Sequence, residues 1–271
     1  FFCIFELQTN LTMKKLLLLS ALLIFACSSD ESDSNDNSST NGLLVDTVQF
    51  SYLLSAAFVV TQVEGTYSYN YDGNKLVSMD FSIINGETGT TNYTYNDNNQ
   101  FSVVYHWGGD YEEYEYDELG RLTVSTYTDV DESITPVIRR SVYLYNQDGT
   151  VRTSYYNGNT EPNGTDTFDQ NGNLISTTYY GSNDNRTYTY DNANSPFKNM
   201  TGHFFEGSYS YSFPALFSGG NNVLTYENEN SRFFYTYNDN NYPISVNSPN
   251  GFGDDFYGDS HKNIQATITY K

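Results

Sequence analysis

The chain has 271 residues, with 12 Lys and Arg against 33 Asp and Glu, a net charge of −21, and 27 Tyr beside a single Trp. Two Cys and three His exclude a disulfide-stapled scaffold and a zinc cluster, both of which need several such residues. The acidic balance excludes a nucleic-acid binder, which needs a basic footprint.

In chain order, the first feature is a leader. Lys14 and Lys15 follow Met13, and Leu16 to Ala26 is apolar but for Ser20. That fits the apolar core of a signal peptide and falls short of the ~20 residues a bilayer span needs. Ile24-Phe25-Ala26-Cys27 resembles a lipobox, with Phe25 where a small residue is usual. The resemblance implies cleavage before Cys27, lipidation of its thiol, and a membrane anchor there. Phe1 to Thr12 contains no Met and reads as sequence upstream of the true start. Residues 13–26 are then the signal peptide, 27–42 an acidic Ser/Asn-rich tether, and 43–271 a single β-repeat domain. Ser28 to Asn41 contains only Ser, Asp, Glu, Asn and Thr, with nothing to bury; it spans ~20 Å as a flexible chain. Asp30, Glu31 and Asp33 resemble the surface-export signal of Bacteroidota lipoproteins, which implies an outer-membrane lipoprotein on the cell surface; the periplasmic face is the other placement.

From Tyr67 onward one pattern recurs: Tyr-x-Tyr, then Asp or Asn, a polar turn often holding Gly, then an apolar residue opening a second run. The second aromatic falls at residues 71, 95, 116, 145, 168, 190 and 237. A near-constant period with variable insertions marks a repeat architecture. Tyr-x-Tyr puts both rings on one side of a strand, and Tyr and Thr favour strands. Asp or Asn followed by Gly or Asn supplies the positive φ and side-chain bonds of a tight turn. Each unit is therefore a β-hairpin. The predicted fold is all-β: an antiparallel meander of repeated hairpins, about 14 to 18 strands, too many for an open sheet, and so curled into a barrel or near-closed sheet. The residues between the aromatics are mostly polar (Asn70, Thr94, Glu115, Thr189, Thr236; Leu144 excepted). They belong in water, against the apolar outer band of a membrane-spanning barrel.

Tyr-x-Tyr-Asp-x-x-Gly-Arg-Leu, complete at Tyr114 to Leu122, resembles the YD repeat of Rhs-type proteins. More closely, the chain resembles uncharacterised Bacteroidota lipoproteins built of degenerate YD repeats, a family whose resemblance implies a porin-like β fold. It covers about residues 65 to 271. The first unit is one residue shorter. The fifth carries Asp166 for the first Tyr and Phe168 for the second, and the sixth and seventh carry Pro196 and Pro243 where the apolar residue falls. Between units six and seven, Ser195-Pro196 reads as a helix start, and Phe213 to Gly220 as an apolar then flexible stretch. This insertion is expected to plug one end of the sheet.

Chemistry-bearing motifs are sparse. Gly258-Asp259-Ser260-His261 echoes an esterase nucleophile block but sits late in an all-β chain, so it reads as a loop. No catalytic residue, cofactor site or metal site emerges, and none is assigned. Asp110, Glu112, Glu113, Glu115, Asp117 and Glu118 form the densest acidic run. Alternation puts Glu113, Glu115 and Asp117 opposite Tyr114 and Tyr116. Although hard oxygen ligands suit Ca²⁺, nothing matches a calcium loop, and the run reads as a solvated outer face. His106-Trp107-Gly108-Gly109 places the only Trp beside a His. Trp107, His106, Tyr114 and Tyr116 are the candidate ligand contacts, while His203 and His261 read as structural. The leading expectation is a non-enzymatic, lipid-anchored envelope module that binds a glycan or protein partner through a Tyr-rich sheet or its rim. The alternative is a polysaccharide hydrolase with two carboxylates inside the barrel.

Overall fold

The turn chemistry of the repeat sets the architecture. In the computed structural model, residues 42–56, 59–130, 136–181, 185–202, 219–226, 231–254 and 260–271 are described. The leader, Cys27, the tether, His203, Phe213 to Ser218 of the insertion, and Gly258-Asp259 lie outside them. The first strands are β1 (Val45–Ala56), β2 (Val59–Asp72), β3 (Lys75–Ile83), β4 (Thr88–Tyr95), β5 (Phe101–Tyr105), β6 (Tyr111–Tyr116), β7 (Leu122–Asp129), β8 (Val137–Tyr145) and β9 (Val151–Asn157). They continue as β10 (Gly164–Phe168), β11 (Leu174–Tyr179), β12 (Asn185–Tyr190), β13 (Val223–Tyr226), β14 (Ser231–Arg232), β15 (Phe234–Tyr237), β16 (Pro243–Ser248), β17 (Phe252–Asp254) and β18 (Ser260–Tyr270). No described residue is helical.

Neighbours in sequence pair antiparallel from β1 to β14. β14 and β15 are separated by Phe233 alone, whose N–H bonds Leu224 O on β13, so they form one bent strand. β15 pairs with β16; β16 and β17 lie in succession along β18, and β18 returns to β1. Counted with those two pairs merged, the meander has 16 strands in a nearly closed barrel.

Five units share one turn. The amide of residue i bonds the carbonyl of i+4, and that of i+3 bonds the carbonyl of i, at Asn96, Asp117, Asn146, Asp169 and Asn238. The fourth residue has positive φ: Gly120, Gly149 and Gly172, with Asn99 and Asn241 in their place twice. At four of the five, Asp or Asn leads because its Oδ1 accepts two main-chain amides, at i+2 and i+4; at Asn146 the Thr150 amide goes to Asp148 Oδ1 instead. Asp117 takes Leu119 (3.0 Å) and Arg121 (2.9 Å); Asp169 takes Asn171 (2.8 Å) and Asn173 (2.9 Å). Satisfying both donors locally is what makes these turns stiff. The first unit, shorter by one residue, turns over Gly73-Asn74 instead, with Asp72 opposite Lys75.

The second aromatic carries a further bond. The hydroxyl of Tyr95 donates to Leu76 O (3.0 Å), Tyr116 to Phe101 O (2.9 Å), Tyr190 to Leu174 O (2.9 Å) and Tyr270 to Pro243 O (2.7 Å). In each case the acceptor is the apolar residue just past the turn of the preceding unit. Tyr270 on β18 thereby occupies the position of an eighth second aromatic. These bonds answer the need of a buried phenol for a partner.

The interior holds two apolar clusters. One is built around Val45, Val48, Phe50, Tyr69, Leu76, Val246, Ile264 and Ile268, the other around Phe101, Val104, Leu122, Val151 and Phe168. Met200, from the insertion, packs against both.

The described part of the insertion, residues 195–202 and 219–222, packs against the end where the repeat turns lie, and not as a helix. Lys198 N bonds Ser195 O and Met200 N bonds Phe197 O, two turns in place of the helix start read at Ser195-Pro196. The reason is that the segment's polar groups bond the barrel rim. Asn194 N reaches Asn241 O, Thr201 N reaches Asn74 O (2.8 Å), and Asn199 Nδ2 reaches Leu43 O (2.9 Å) and the Tyr242 hydroxyl (2.8 Å). Phe197 packs on Tyr69, ring centroids 5.2 Å apart. The sixth unit also differs from its reading. Val223, not Pro196, stands opposite Tyr190. Asp191 Oδ1 accepts Ala193 N (3.0 Å) and Asn222 N (3.1 Å), so the same cap spans the whole insertion.

The outer wall is polar, as the alternation predicts. Thr94 bonds Ser102 (2.8 Å), Asn70 bonds Ser78 (3.0 Å), Thr90 bonds Asp80 (2.6 Å) and Thr236 bonds Ser245 (2.6 Å). Such hydroxyl and amide ladders are not the apolar outer band of a lipid-spanning barrel. Among the described residues, no helix is long and apolar enough to cross a membrane.

Candidate functional site

Opposite the plug lie the facing strand ends of β1 and β2, β3 and β4, β5 and β6, β7 and β8, β9 and β10, and β11 and β12. His106 and Trp107 form the tip of the β5–β6 hairpin, which repeats the turn described above: His106 N bonds Asp110 O and Gly109 N bonds His106 O. The Trp107 ring meets Phe81 edge-on at 5.5 Å and covers Gly89. Half of its surface remains exposed (47 %). A Cβ at Gly89 would stand 2.1 Å from Trp107 Cδ1, so Gly89→Ala is expected to push the indole outward. As the chain's only Trp, it reports this directly: its emission should shift to the red, with a loss of about 1–3 kcal/mol from overpacking. Unchanged emission would mean that Trp107 does not rest on Gly89.

Behind the tip lies a polar inner surface. Parity along β6 puts Glu112 on the inner side with Tyr114 and Tyr116, while Glu113 and Glu115 face water. The Tyr114 hydroxyl donates to Glu112 Oε2 (2.9 Å). Burial pushes the Glu112 carboxyl above its ordinary range, opposed by hydrogen bonds from Ser125 and Tyr114. The Tyr127 hydroxyl donates to Asp110 Oδ2 (2.6 Å), and Val130 N to Asp110 Oδ1 (2.8 Å). The His106 ring lies 5.5 Å from Tyr127, and the Arg139 guanidinium 5.5 Å from the same ring and 3.6 Å from Asp129. Burial lowers the His106 pKa against the pull of Asp110. Its Nε2 is buried without a partner.

Further round the wall, Asp166 is fully buried. Its Oδ1 accepts the hydroxyls of Tyr155 (2.8 Å) and Thr177 (2.6 Å). The departure from Tyr in the fifth unit thus swaps a ring for a hydroxyl-bound carboxylate. Glu112 on β6 and Asp166 on β10 are four strand spacings apart, about 19 Å along the sheet, against ~5–9.5 Å for a glycosidase pair. Each is engaged by its own hydroxyls.

The structure therefore gathers His106 and Trp107 at the rim and Tyr114 just inside it, with Tyr114 itself buried. Tyr116 sits at the other end of β6, bonded to Phe101. Asp110 and Glu112 belong to the acidic run read from the sequence as a solvated face, whereas both are engaged by tyrosine hydroxyls. The even-numbered parity shared by Glu112 and Tyr114 was the signal, and Tyr127 and Arg139 carried none. Asp117 is a turn cap bridged to Arg121 at 2.6 Å. That pairing holds its carboxyl below the usual range, chiefly through the hydrogen bond from Arg121. Ser260 and His261 open β18, their backbones opposite Ser55 and Leu54, a strand setting and not a nucleophile turn. Among the described residues, no group of His, Cys, Asp and Glu is arranged to hold a metal ion.

No protein-family model matches the chain, and no curated protein matches it. Among solved structures, it is similar to a porin-like protein from Bacteroides uniformis, at 14 % identity over 84 % of this chain and 98 % of that one, with a TM-score of 0.55. A TcdB2-TccC3 structure matches at 13 % identity over 75 % of this chain and 10 % of that one, with a TM-score of 0.25. A Photorhabdus luminescens Tc holotoxin pore matches at 14 % identity over 79 % of this chain and 12 % of that one, with a TM-score of 0.19. Scores that low carry no argument about fold. The first likeness, over most of this chain and nearly all of that one, shows that this chain has the fold of that porin-like protein.

Proposed function

We propose that the protein is a non-enzymatic, lipid-anchored module of the outer envelope, held at Cys27 and displayed on the cell surface, which binds a glycan at the rim opposite its plug. The observation that carries the reading is where the free aromatic surface lies. Buried side chains fill the barrel from the plugged end, and Asp166 and Thr177 within the polar wall are fully buried. At the rim, by contrast, Trp107, Tyr105 and Tyr180 keep about half their surface exposed (47, 49 and 51 %). Exposed rings beside carboxylate, amide and guanidinium groups suit neutral sugars, which stack on a ring face and bond through their hydroxyls. The fold shared with a porin-like protein supports an envelope setting, and the polar outer wall supports a barrel held beside the membrane by its anchor.

The test is titration of the mature chain with neutral oligosaccharides prepared from cell-surface and plant polysaccharides, read by Trp107 fluorescence and calorimetry. At least one should bind with a change in emission, and Trp107→Ala should weaken it by at least tenfold, about 1.4 kcal/mol. Binding to none at millimolar concentration, or binding indifferent to Trp107→Ala, would overturn the rim reading.

A further inference from the structure

The strands at the rim are unequal in length. β2 pairs with β3 only from Gly65 onward, opposite Ile83, and Ile84 N closes the contact on Glu64 O. Val59 to Val63 continue past that point, paired to β1 on one side, with Ala56 opposite Val59. Among the described residues nothing pairs with the other side. These five residues of β2, about 17 Å, thus form a projecting edge. Because Glu64 O points toward β3, the amide and carbonyl of Val60 and Gln62 point the same way, outward. Natural sheets blunt such edges with Lys, Pro or bulges. This one is Val-Val-Thr-Gln-Val, regular in register, with Val59 61 % and Val60 64 % exposed. Thr47 to Val63 contains no charged residue, in a chain whose charge of −21 otherwise repels a second copy.

We infer that this edge pairs with the same edge of a second copy of the chain, giving a symmetric dimer. The register follows from the bonding pattern. Outward-bonding residues must meet outward-bonding residues in an antiparallel ladder, and Glu64 O is already taken. Val60 then stands opposite Gln62 of the second copy, and Gln62 opposite its Val60, exchanging four main-chain hydrogen bonds. Thr61 faces its own symmetry mate on the two-fold axis. Val59 faces Val63 twice, on the inner side of the sheet, so both β-branched contacts are apolar. Glu64 lies outside the ladder, and no like charges oppose. A parallel pairing about a two-fold axis is excluded, since it would set bonding groups at equal heights where a parallel ladder needs them offset.

The experiment is sedimentation velocity of the mature chain over a concentration series, with Thr61→Cys as a register probe. Directly opposed residues that do not exchange hydrogen bonds have Cα atoms about 4.5 Å apart, within the range a disulfide spans. The chain should dimerise, and Thr61→Cys should form a covalent dimer under mild oxidation while an exposed Cys at Thr94→Cys does not. Val60→Lys, which leaves the β1 pairing intact, should raise the dimer dissociation constant at least tenfold. A monomer at every concentration overturns the inference, as does a dimer that neither cross-links through position 61 nor responds to Val60→Lys. Capture of a foreign extended peptide by a chain that stays monomeric would overturn it too.

Discussion

Raised from about pH 9 to about pH 12, the barrel should unfold in one cooperative step, with its interior tyrosines ionising together instead of one by one near their ordinary pKa. Burial is the first cause in every case: it pushes Tyr67, Tyr95 and Tyr116 up to about 12, and Tyr71, Tyr235, Tyr237 and Tyr270 upward as well. The Tyr237 hydroxyl is further committed to Asp191. The direction of the effect follows from proton counting. Below about pH 10 both folded and unfolded chains keep these protons, so stability is undiminished. Between about 10 and 12 the unfolded chain releases them and the folded chain does not, so each such residue withdraws stability as the pH climbs. Two units at Tyr67 amount to about 2.7 kcal/mol; the more exposed Tyr95 and Tyr116 contribute less, because solvent screens them. Several such terms exceed the 5–15 kcal/mol that holds a typical domain together. Far-ultraviolet dichroism and tyrosinate absorbance followed in the same titration should change at the same pH. Gradual tyrosinate formation centred near pH 10, with the strand signal intact, would show that the interior is open to water.

Asp191→Ala should cost about 4 kcal/mol of unfolding free energy, well beyond the ~1 kcal/mol of an ordinary cap. Its carboxylate accepts the amides of Ala193 and Asn222 at 3.0 and 3.1 Å, the Asn222 side chain at 3.1 Å, and the Tyr237 hydroxyl. Asn222 is fully buried, so its donors have no water to turn to. The loss also falls where the plug leaves and rejoins the barrel. Asp191→Asn, which keeps the capping oxygen, should lose about half as much. Urea unfolding of the three chains measures this. A loss below about 1 kcal/mol for Asp191→Ala would show that the plug is held by its apolar contacts alone.

Hairpins were legible because their determinants are local. Alternation of rings placed the inner side of each strand, and Asp or Asn with a following Gly or Asn placed each turn. What escaped depended on distance. Strand number alone argued for closure, but the seam itself, β18 against β1, pairs opposite ends of the domain and no local pattern encodes it. At the sixth unit, Asp191 caps Asn222 across the insertion, so the residue after the turn was sought at Pro196 when it stood at Val223. Ser195-Pro196 carries a helix start in its chemistry, yet the rim took the hydrogen bonds a helix would have used. At the site, Trp107 and His106 were found because their residue types are rare here. Asp110 and Glu112 stand in the densest acidic run and read as solvated, since a cluster of acids does not show which of them turns inward to a tyrosine hydroxyl.

The tyrosine bonds between successive units bear on how such a barrel changes size. The hydroxyl comes from the second aromatic of one hairpin and the carbonyl from the turn exit of the one before. A hairpin that keeps both the second Tyr and the turn-exit carbonyl carries one donor and one acceptor, as at Tyr95, Tyr116 and Tyr190, and a duplicate of such a hairpin brings both. Lineages of this architecture can gain or lose circumference two strands at a time without redesigning the seam. The plug, fitted to one diameter, is then the part that must co-evolve with the number of units.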